Sequence, residues 1–472
     1  MEKEDKRPSN ACHKSHLRVP AKASFYYIMS AVIGRGVGIL VTPIFTRVID
    51  TSEYGYFSYY ISVLSILSLA STIFLSPSVI YSGLGRFKET RQGFENSAIL
   101  LSLAITPIFC LLLFAFNNFL ELDGRIIVFI VIQISLDLIV TVDLLSGKFF
   151  YDYTRVVAMS LLSSFLAPII SLFLILIFDA GANGRIYGLL ISAAFIAAIS
   201  LIKRLSRFEK PQKEHITYLL KNSIPLFPGI LARAVMGWSD KLVIKGFLGV
   251  EALAKYSVAH TVGMALFGII GALSSALNPW IIRKLAVGDK DSLMEVIKNL
   301  GQLVSFGSVF IIGLAPELLS ILAPKSYNDS LYAIIPFAIS TIPYFLFNVF
   351  SVFITYQEKT KFISIYTLLG AAVNLVLNLI LIKSFGYIGG GISYLFAESL
   401  IFVLVSLYLR KNNAHLKVDL SDQAFPFIVS LAMALVLPLI YPYLSARLII
   451  LIIPACFAVN RGFLCLDLAK EK

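Results

Sequence analysis

The sequence predicts an all-α, polytopic membrane protein with fourteen transmembrane helices. Composition is the first sign. Of 472 residues, 58% are hydrophobic and only 14% are charged, whereas a soluble domain carries about 25% charged residues. The second sign is length: apolar stretches near the roughly 20 residues needed to cross a bilayer recur fourteen times along the chain. The third is charge placement. Threading those stretches through a membrane puts 29 of the 40 lysines and arginines on one side, as the positive-inside bias requires.

In order, the stretches lie at 24–46, 56–80, 96–117, 125–147, 156–178, 185–203, 219–243, 252–280, 299–322, 331–355, 362–383, 387–409, 423–442 and 445–463. A basic tail, 1–23, precedes them with Lys3, Lys6, Arg7, Lys14, Arg18 and Lys22. It lacks an apolar core followed by a small-residue cleavage site, so no signal peptide is expected. The first six stretches make an N-terminal bundle, 24–203. A basic linker, 204–218, leads to a second six-helix bundle, 219–409. An extra helix pair, 423–463, and a short tail, 464–472, complete the chain. Within the seventh stretch, Pro225 and Pro228 remove backbone donors and should bend the helix. An even number of helices per half makes the halves parallel repeats. Cys12, Cys110, Cys456 and Cys465 form no close pair and read as packing residues, with no disulfide or metal site.

With the N-terminus inside, the cytoplasmic segments are the two tails, the basic linker and every second connection. Both termini are therefore expected in the cytoplasm. Nine Lys and Arg fall at outer ends and loops, and two fall inside the membrane. The net charge of +12 is mostly this bias and calls for no nucleic acid; the basic linker could also meet anionic lipid.

The two intramembrane arginines are the leading candidates for function. Arg35 sits in Ala31-Val-Ile-Gly-Arg-Gly-Val-Gly38 of the first stretch, and Arg233 in Gly229-Ile-Leu-Ala-Arg-Ala-Val-Met236 of the seventh. They stand at corresponding places in the two halves. Tyr56-Phe-Ser58 and Lys255-Tyr-Ser257 correspond at an offset of 199 against 198 for the arginines, which needs a one-residue insertion. A charge inside the membrane is costly and marks a functional site by default. Arg35 is about 16 Å from either helix end at 1.5 Å per residue, too far to snorkel. Arginine also suits phosphate, because its planar fork donates paired hydrogen bonds. The alternative is a structural ion pair, with Asp137 of the fourth stretch as a partner for Arg35. Asp137 and Glu398 are themselves candidates for H⁺ or Na⁺ coupling, or for partnering arginine. Asn374 and Asn378, one turn apart, could line a cavity or bond between helices. Asn348, Gln133, Gln302 and His260 read as bonds between helices.

Three stretches resemble one known family. Pro43-Ile-Phe-Thr-Arg-Val-Ile-Asp-Thr-Ser-Glu-Tyr-Gly-Tyr-Phe-Ser58 is similar to the first outer loop of polysaccharide flippases, within the multidrug/oligosaccharidyl-lipid/polysaccharide exporter superfamily. Ser239-Asp-Lys-Leu-Val-Ile-Lys-Gly-Phe-Leu-Gly249 resembles that family's junction of helices seven and eight. Asn374-Leu-Val-Leu-Asn378 with Phe385-Gly-Tyr-Ile-Gly-Gly-Gly-Ile-Ser393 resembles its junction of helices eleven and twelve. The resemblance runs from about residue 24 to 463. It implies two six-helix bundles in a V around a central cavity, and an extra helix pair grooved for a lipid tail. It also implies a function: flipping a polyprenyl-pyrophosphate-linked oligosaccharide, of the O-antigen or a related surface-polysaccharide type, from the cytoplasmic to the periplasmic leaflet of a bacterial inner membrane. Arg35, Arg233, Asn374 and Asn378 would then contact the cargo. Asp240 and Lys241 match the family's acidic–basic pair and, with Pro43, Pro225 and Pro228, would gate it. Membrane lipids, a polysaccharide polymerase and a chain-length regulator would be the partners.

Enzyme chemistry is not expected, since GxSxG, HExxH, P-loop and paired-cysteine motifs are all missing from the sequence. Without an ATP site, an H⁺ or Na⁺ gradient or the cargo gradient would supply the energy, and no cofactor is expected. A polysaccharide polymerase would need a large outer loop, and every outer loop is about a dozen residues or fewer. A multidrug/cation antiporter would place acidic residues where this chain has Arg35 and Arg233.

Overall fold

The computed structural model describes residues 10–115, 122–205, 208–412 and 420–452. Among them the chain is helical, with no strand. The helices are α1 (Asn10–Val48), α2 (Thr51–Ser71), α3 (Pro77–Arg86), α4 (Arg91–Ala115), α5 (Gly124–Phe149), α6 (Tyr153–Phe178), α7 (Gly181–Leu205) and α8 (Lys213–Ser223). They continue as α9 (Phe227–Leu248), α10 (Val250–Gly263), α11 (Ala265–Val287), α12 (Lys290–Gly313), α13 (Ala315–Leu322), α14 (Ile334–Tyr356), α15 (Lys361–Phe385), α16 (Tyr387–Asn412) and α17 (Leu420–Val436). A final helix occupies 444–452. The C-terminal tail, the end of the fourteenth stretch, Cys456, Cys465 and the side chains of Cys12 and Cys110 lie outside the described residues.

Ten spans are long and apolar enough to cross a membrane by length and composition. The remaining four predicted stretches fall short for visible reasons. Helix α9 carries Arg233, Asp240, Lys241 and Lys245. The apolar helix at Phe427–Ile440 is short. The third and fourteenth stretches run partly outside the described residues.

Helix ends are set by local chemistry. Asp123, Asp152 and Asp289 cap α5, α6 and α12, each accepting a hydrogen bond from a backbone N–H of the first turn, which answers donors that have no partner inside the helix. Pro225 falls in a 3₁₀ turn, Ile224–Leu226, between α8 and α9, and Pro228 in the first turn of α9. The bend expected in the seventh stretch is thus a break. Pro43 does not end α1, which continues to Val48.

The chain forms two compact units. One takes the described residues up to Gly38 with Ser71–Pro225; the other takes Ile39–Ala70 with those from Leu226 on. In the first unit, α6 and α7 form a tight hairpin turned at Asp179, whose backbone is left-handed (φ 49°). A Cβ at Gly188 would lie 2.1 Å from Ser171 Oγ, so only glycine lets the two helices approach this closely. In the second unit, α15 and α16 pair in the same manner, with a Cβ at Gly370 meeting Ile401 at 2.4 Å. The core of this unit is α14, where Phe337, Phe345, Phe350 and Phe353 are all buried.

The end of α1 and α2 as far as Ala70 belong to the second unit. Thr46 Oγ1 donates to the Leu322 carbonyl at 2.7 Å, and Arg47 donates to those of Ile321 and Ser320 at 3.1 Å each. These carbonyls end α13 and lack helical partners. A Cβ on Gly55 would stand 1.8 Å from the Val250 carbonyl. The extra helices pack on α12 and α14 through Val309, Ile312, Ile339, Ala434, Leu437 and Leu451. Buried Arg447 fixes them further, donating to the Gly313 carbonyl at 2.6 Å and to both Glu317 oxygens at 2.8 and 2.7 Å.

Candidate functional site

Arg233 lies two turns into α9, just past the proline break. Its Nη1 donates to Glu398 Oε1 of α16 at 3.0 Å. The Phe347 ring of α14 lies under the guanidinium, 5.2 Å from centroid to Cζ, a favourable position for a cation. The two partners differ in exposure: Glu398 is fully buried, while 37% of the Arg233 side chain is open. Glu398 Oε2 is buried without a hydrogen-bond partner of good geometry. Arg233 therefore has a charge-neutralising partner on one side and an accessible face with further donors on the other.

Arg35, in the first unit, is different. Its side chain is exposed, and it makes no ion pair or side-chain hydrogen bond among the described residues. Cβ atoms at Gly36 and Gly38 would meet nothing within 4 Å. Asp137, the expected alternative partner, instead accepts from Gln133 Nε2, one turn away on α5, at 3.1 and 3.0 Å.

Asn374 and Asn378 are wholly buried and bond across to α9. Asn378 Nδ2 donates to Asn374 Oδ1 at 3.1 Å and to Ser239 Oγ at 3.3 Å. Ser239 Oγ donates to Asn374 Oδ1 at 3.4 Å. The next residue, Asp240, accepts from Tyr256 Oη of α10 and from the Lys241 backbone N–H. Lys241 Nζ lies 4.1 Å from the Trp238 ring centroid. Asp240 and Lys241 thus have separate side-chain partners, as expected for neighbours on a helix. Three atoms in this region are buried without hydrogen-bond partners: Asn374 Nδ2, Asn378 Oδ1 and His260 Nε2. One polar layer joins Ser239, Asp240, Tyr256, Asn374 and Asn378 across α9, α10 and α15.

Sequence reasoning missed an ionic cluster in the first unit. Glu95 Oε1 accepts from Arg91 Nε at 2.9 Å and Ser146 Oγ at 2.6 Å, and Glu95 Oε2 from Arg204 Nη1 at 3.0 Å. Asp143 accepts from Arg204 Nη2 and Arg155 Nη2, each at 2.5 Å. Arg91 also lies over the Phe150 ring at 3.9 Å. The cluster ties α4, α5, α6 and α7 together. Only the Arg91–Glu95 spacing of four was a local signal; the other pairs join residues up to 109 positions apart.

The family model described as "Polysaccharide biosynthesis protein" matches residues 21–284, more than half of the chain. The chain belongs to this polysaccharide biosynthesis protein family. A second model, MatE, matches residues 225–380. Among curated relatives, a probable low-salt glycan biosynthesis flippase, Agl15 of Haloferax volcanii, is 22% identical over 88% of this chain and 89% of its own length. A putative O-antigen transporter of Escherichia coli is 27% identical over 36% of this chain and 42% of its own. Two solved structures share the fold. The lipid II flippase MurJ, in an inward closed conformation, aligns with a TM-score of 0.70 and 15% identity over 95% of this chain and 100% of its own. An inward-facing multidrug resistance MATE family transporter aligns with a TM-score of 0.64 and 13% identity over 85% and 99%. Members of this family with this fold are multi-pass membrane proteins, and the ten apolar spans agree with that.

Proposed function

We propose that this family member is a flippase for a polyprenyl-pyrophosphate-linked oligosaccharide, the repeat unit of an O-antigen or related surface polysaccharide. It moves this cargo from the cytoplasmic to the periplasmic leaflet of a bacterial inner membrane by alternating access, coupled to H⁺ or Na⁺. Arg233 carries the reading: it is an arginine two turns into α9, within an apolar stretch read as intramembrane, with an accessible face. Permanent positive charge and a planar array of donors suit a diphosphate. Arg35 is the matching cation of the first half. The flippases and the O-antigen transporter among the relatives support the same cargo class.

The match to the MatE model favours a second reading, a multidrug antiporter. Cationic drugs would need acidic groups facing them, and Glu398 is instead fully buried behind Arg233. A polymerase and a chain-length regulator would be the downstream partners. Deleting the gene tests the proposal. A flippase leaves single lipid-linked repeat units on the cytoplasmic leaflet and removes surface polymer. Exported but unpolymerised units would indicate a polymerase, and unchanged glycan with altered drug tolerance an antiporter.

A further inference from the structure

Glu398 is a fully buried carboxylate held by one charged donor, Arg233, at 3.0 Å. Beside it stands the neutral hydroxyl of Tyr394, one turn earlier on α16. Its second oxygen has no charged donor among the described residues, and the Arg233 side chain is over a third open. A structural ion pair would be built otherwise, as the Glu95–Asp143 cluster shows: every carboxylate oxygen there has a charged donor. A one-point pair between a buried anion and an accessible cation is suited to exchange.

We propose that Glu398 is a placeholder for the cargo's diphosphate. Its carboxylate holds Arg233 while the site is empty, yields the guanidinium when phosphate oxygens arrive, and takes up a proton as it does so. This rests on the reading of Arg233 as a cargo residue and adds a link between cargo binding and protonation at this site. A proton that left with the cargo would oppose an inward H⁺ gradient, so in this scheme the cargo gradient drives export. Once Arg233 is committed to phosphate, a buried, unpaired carboxylate is too costly to keep, and neutralisation relieves it. By linkage, a proton on Glu398 strengthens cargo binding as much as cargo strengthens proton binding. The titratable groups coupled to Glu398 are Arg233 of α9 and Tyr394 on its own helix. Tyr344 of α14 acts on Arg233 and Tyr394, and Tyr256 of α10 on Tyr394. No titratable group of α15 is coupled to Glu398 among the described residues.

Binding of inorganic pyrophosphate to the full-length protein in detergent, measured by calorimetry from pH 5.5 to 8.5, tests this. Glu398→Gln removes the competing charge at nearly constant size. At the alkaline end it should bind pyrophosphate about ten- to a hundredfold more tightly than wild type, the worth of one charge-assisted bond. The gap should close as pH falls, because wild type gains what the variant already has. Taking the ratio at each pH cancels the titration of pyrophosphate itself. A variant that binds equally or more weakly, or a gap that is constant with pH, overturns the placeholder. Arg233→Ala separates the two readings. Its binding should fall roughly ten- to a hundredfold at every pH, and wild-type binding in that variant would sink the cargo role of Arg233 itself. The unmodified protein gives a readout that needs no variant to fold. Dicyclohexylcarbodiimide reacts with protonated carboxyls, so pyrophosphate should raise its labelling of Glu398, mapped by mass spectrometry. Unchanged or reduced labelling contradicts the proposal.

Discussion

In the first unit, Glu95 and Asp143 meet Arg91, Arg155 and Arg204, and all four carboxylate oxygens are bonded to a charged donor. In the second, Glu398 meets Arg233 through one oxygen, and the other has no charged donor among the described residues. Both sites bury acidic groups against arginine. Only the first is saturated. A saturated network fixes four helices in one arrangement, while an unsaturated pair keeps a cation available. The contrast separates ionic groups that build the fold from those that can change partners.

Breaking the saturated cluster should give the largest loss of stability. Arg204→Ala removes the one residue that bonds to both carboxylates. Stranding a buried charge typically costs about 3–5 kcal/mol. Thermal unfolding in detergent and abundance in the membrane should both fall sharply, with transport per inserted molecule unchanged. Full abundance of Arg204→Ala would erase the distinction between the two sites.

Arg233→Ala is expected to lower abundance moderately, because Glu398 loses its partner, and to cripple export. Adding Glu398→Gln removes the stranded charge. The double variant should regain abundance but not export, with cargo affinity reduced roughly ten- to a hundredfold. If export returned as well, the pair would be structural, like its counterpart in the first unit.

Arg35→Ala should leave abundance normal, since Arg35 has no side-chain partner among the described residues, and should still reduce export. Arg35→Lys should be milder, keeping the charge without the fork. Adding Asp137→Asn should change neither result, because Asp137 is bonded to Gln133. Rescue of export by that second change would instead tie Arg35 to Asp137.

The smallest effect is expected at the connection between α11 and α12. Lys284 Nζ bonds to Asp289 at 2.5 Å. That hydrogen bond, joined by those from Ser292, holds the Asp289 carboxyl below its ordinary value of 3.8. A lowered folded-state value stabilises the protein above pH 3.8 and loses that contribution as pH falls through the folded value. Asp289→Asn should therefore leave melting at pH 7 almost unchanged, since exposed pairs contribute little. Any slight difference from wild type should vanish in strong acid.

Much of the fold was legible because a membrane span is a local property: about twenty apolar residues announce it. The break near Pro225 and Pro228 was equally local. The exception is α9, where four charged residues hide a helix that its position among the other stretches revealed. The candidate site was half legible. Arg35, Arg233, Asp137 and Glu398 stood out because a charge amid apolar residues is conspicuous. Their pairing did not, because it depends on which helix faces which: Glu398 and Arg233 are 165 residues apart. The Glu95–Asp143 cluster escaped notice because its members sit near helix ends, where charge is ordinary.

The most direct test of the proposal that Arg233 holds an anionic lipid-linked glycan during export, and that Arg35 is needed for the same export, is the leaflet distribution of that glycan. Cells carrying Arg35→Ala, Arg233→Ala and Glu398→Gln together should be compared with wild type at matched membrane abundance. The lipid-linked repeat unit should accumulate on the cytoplasmic leaflet, and surface polymer should disappear. Normal surface polymer, with no repeat unit retained inside, would contradict the claim.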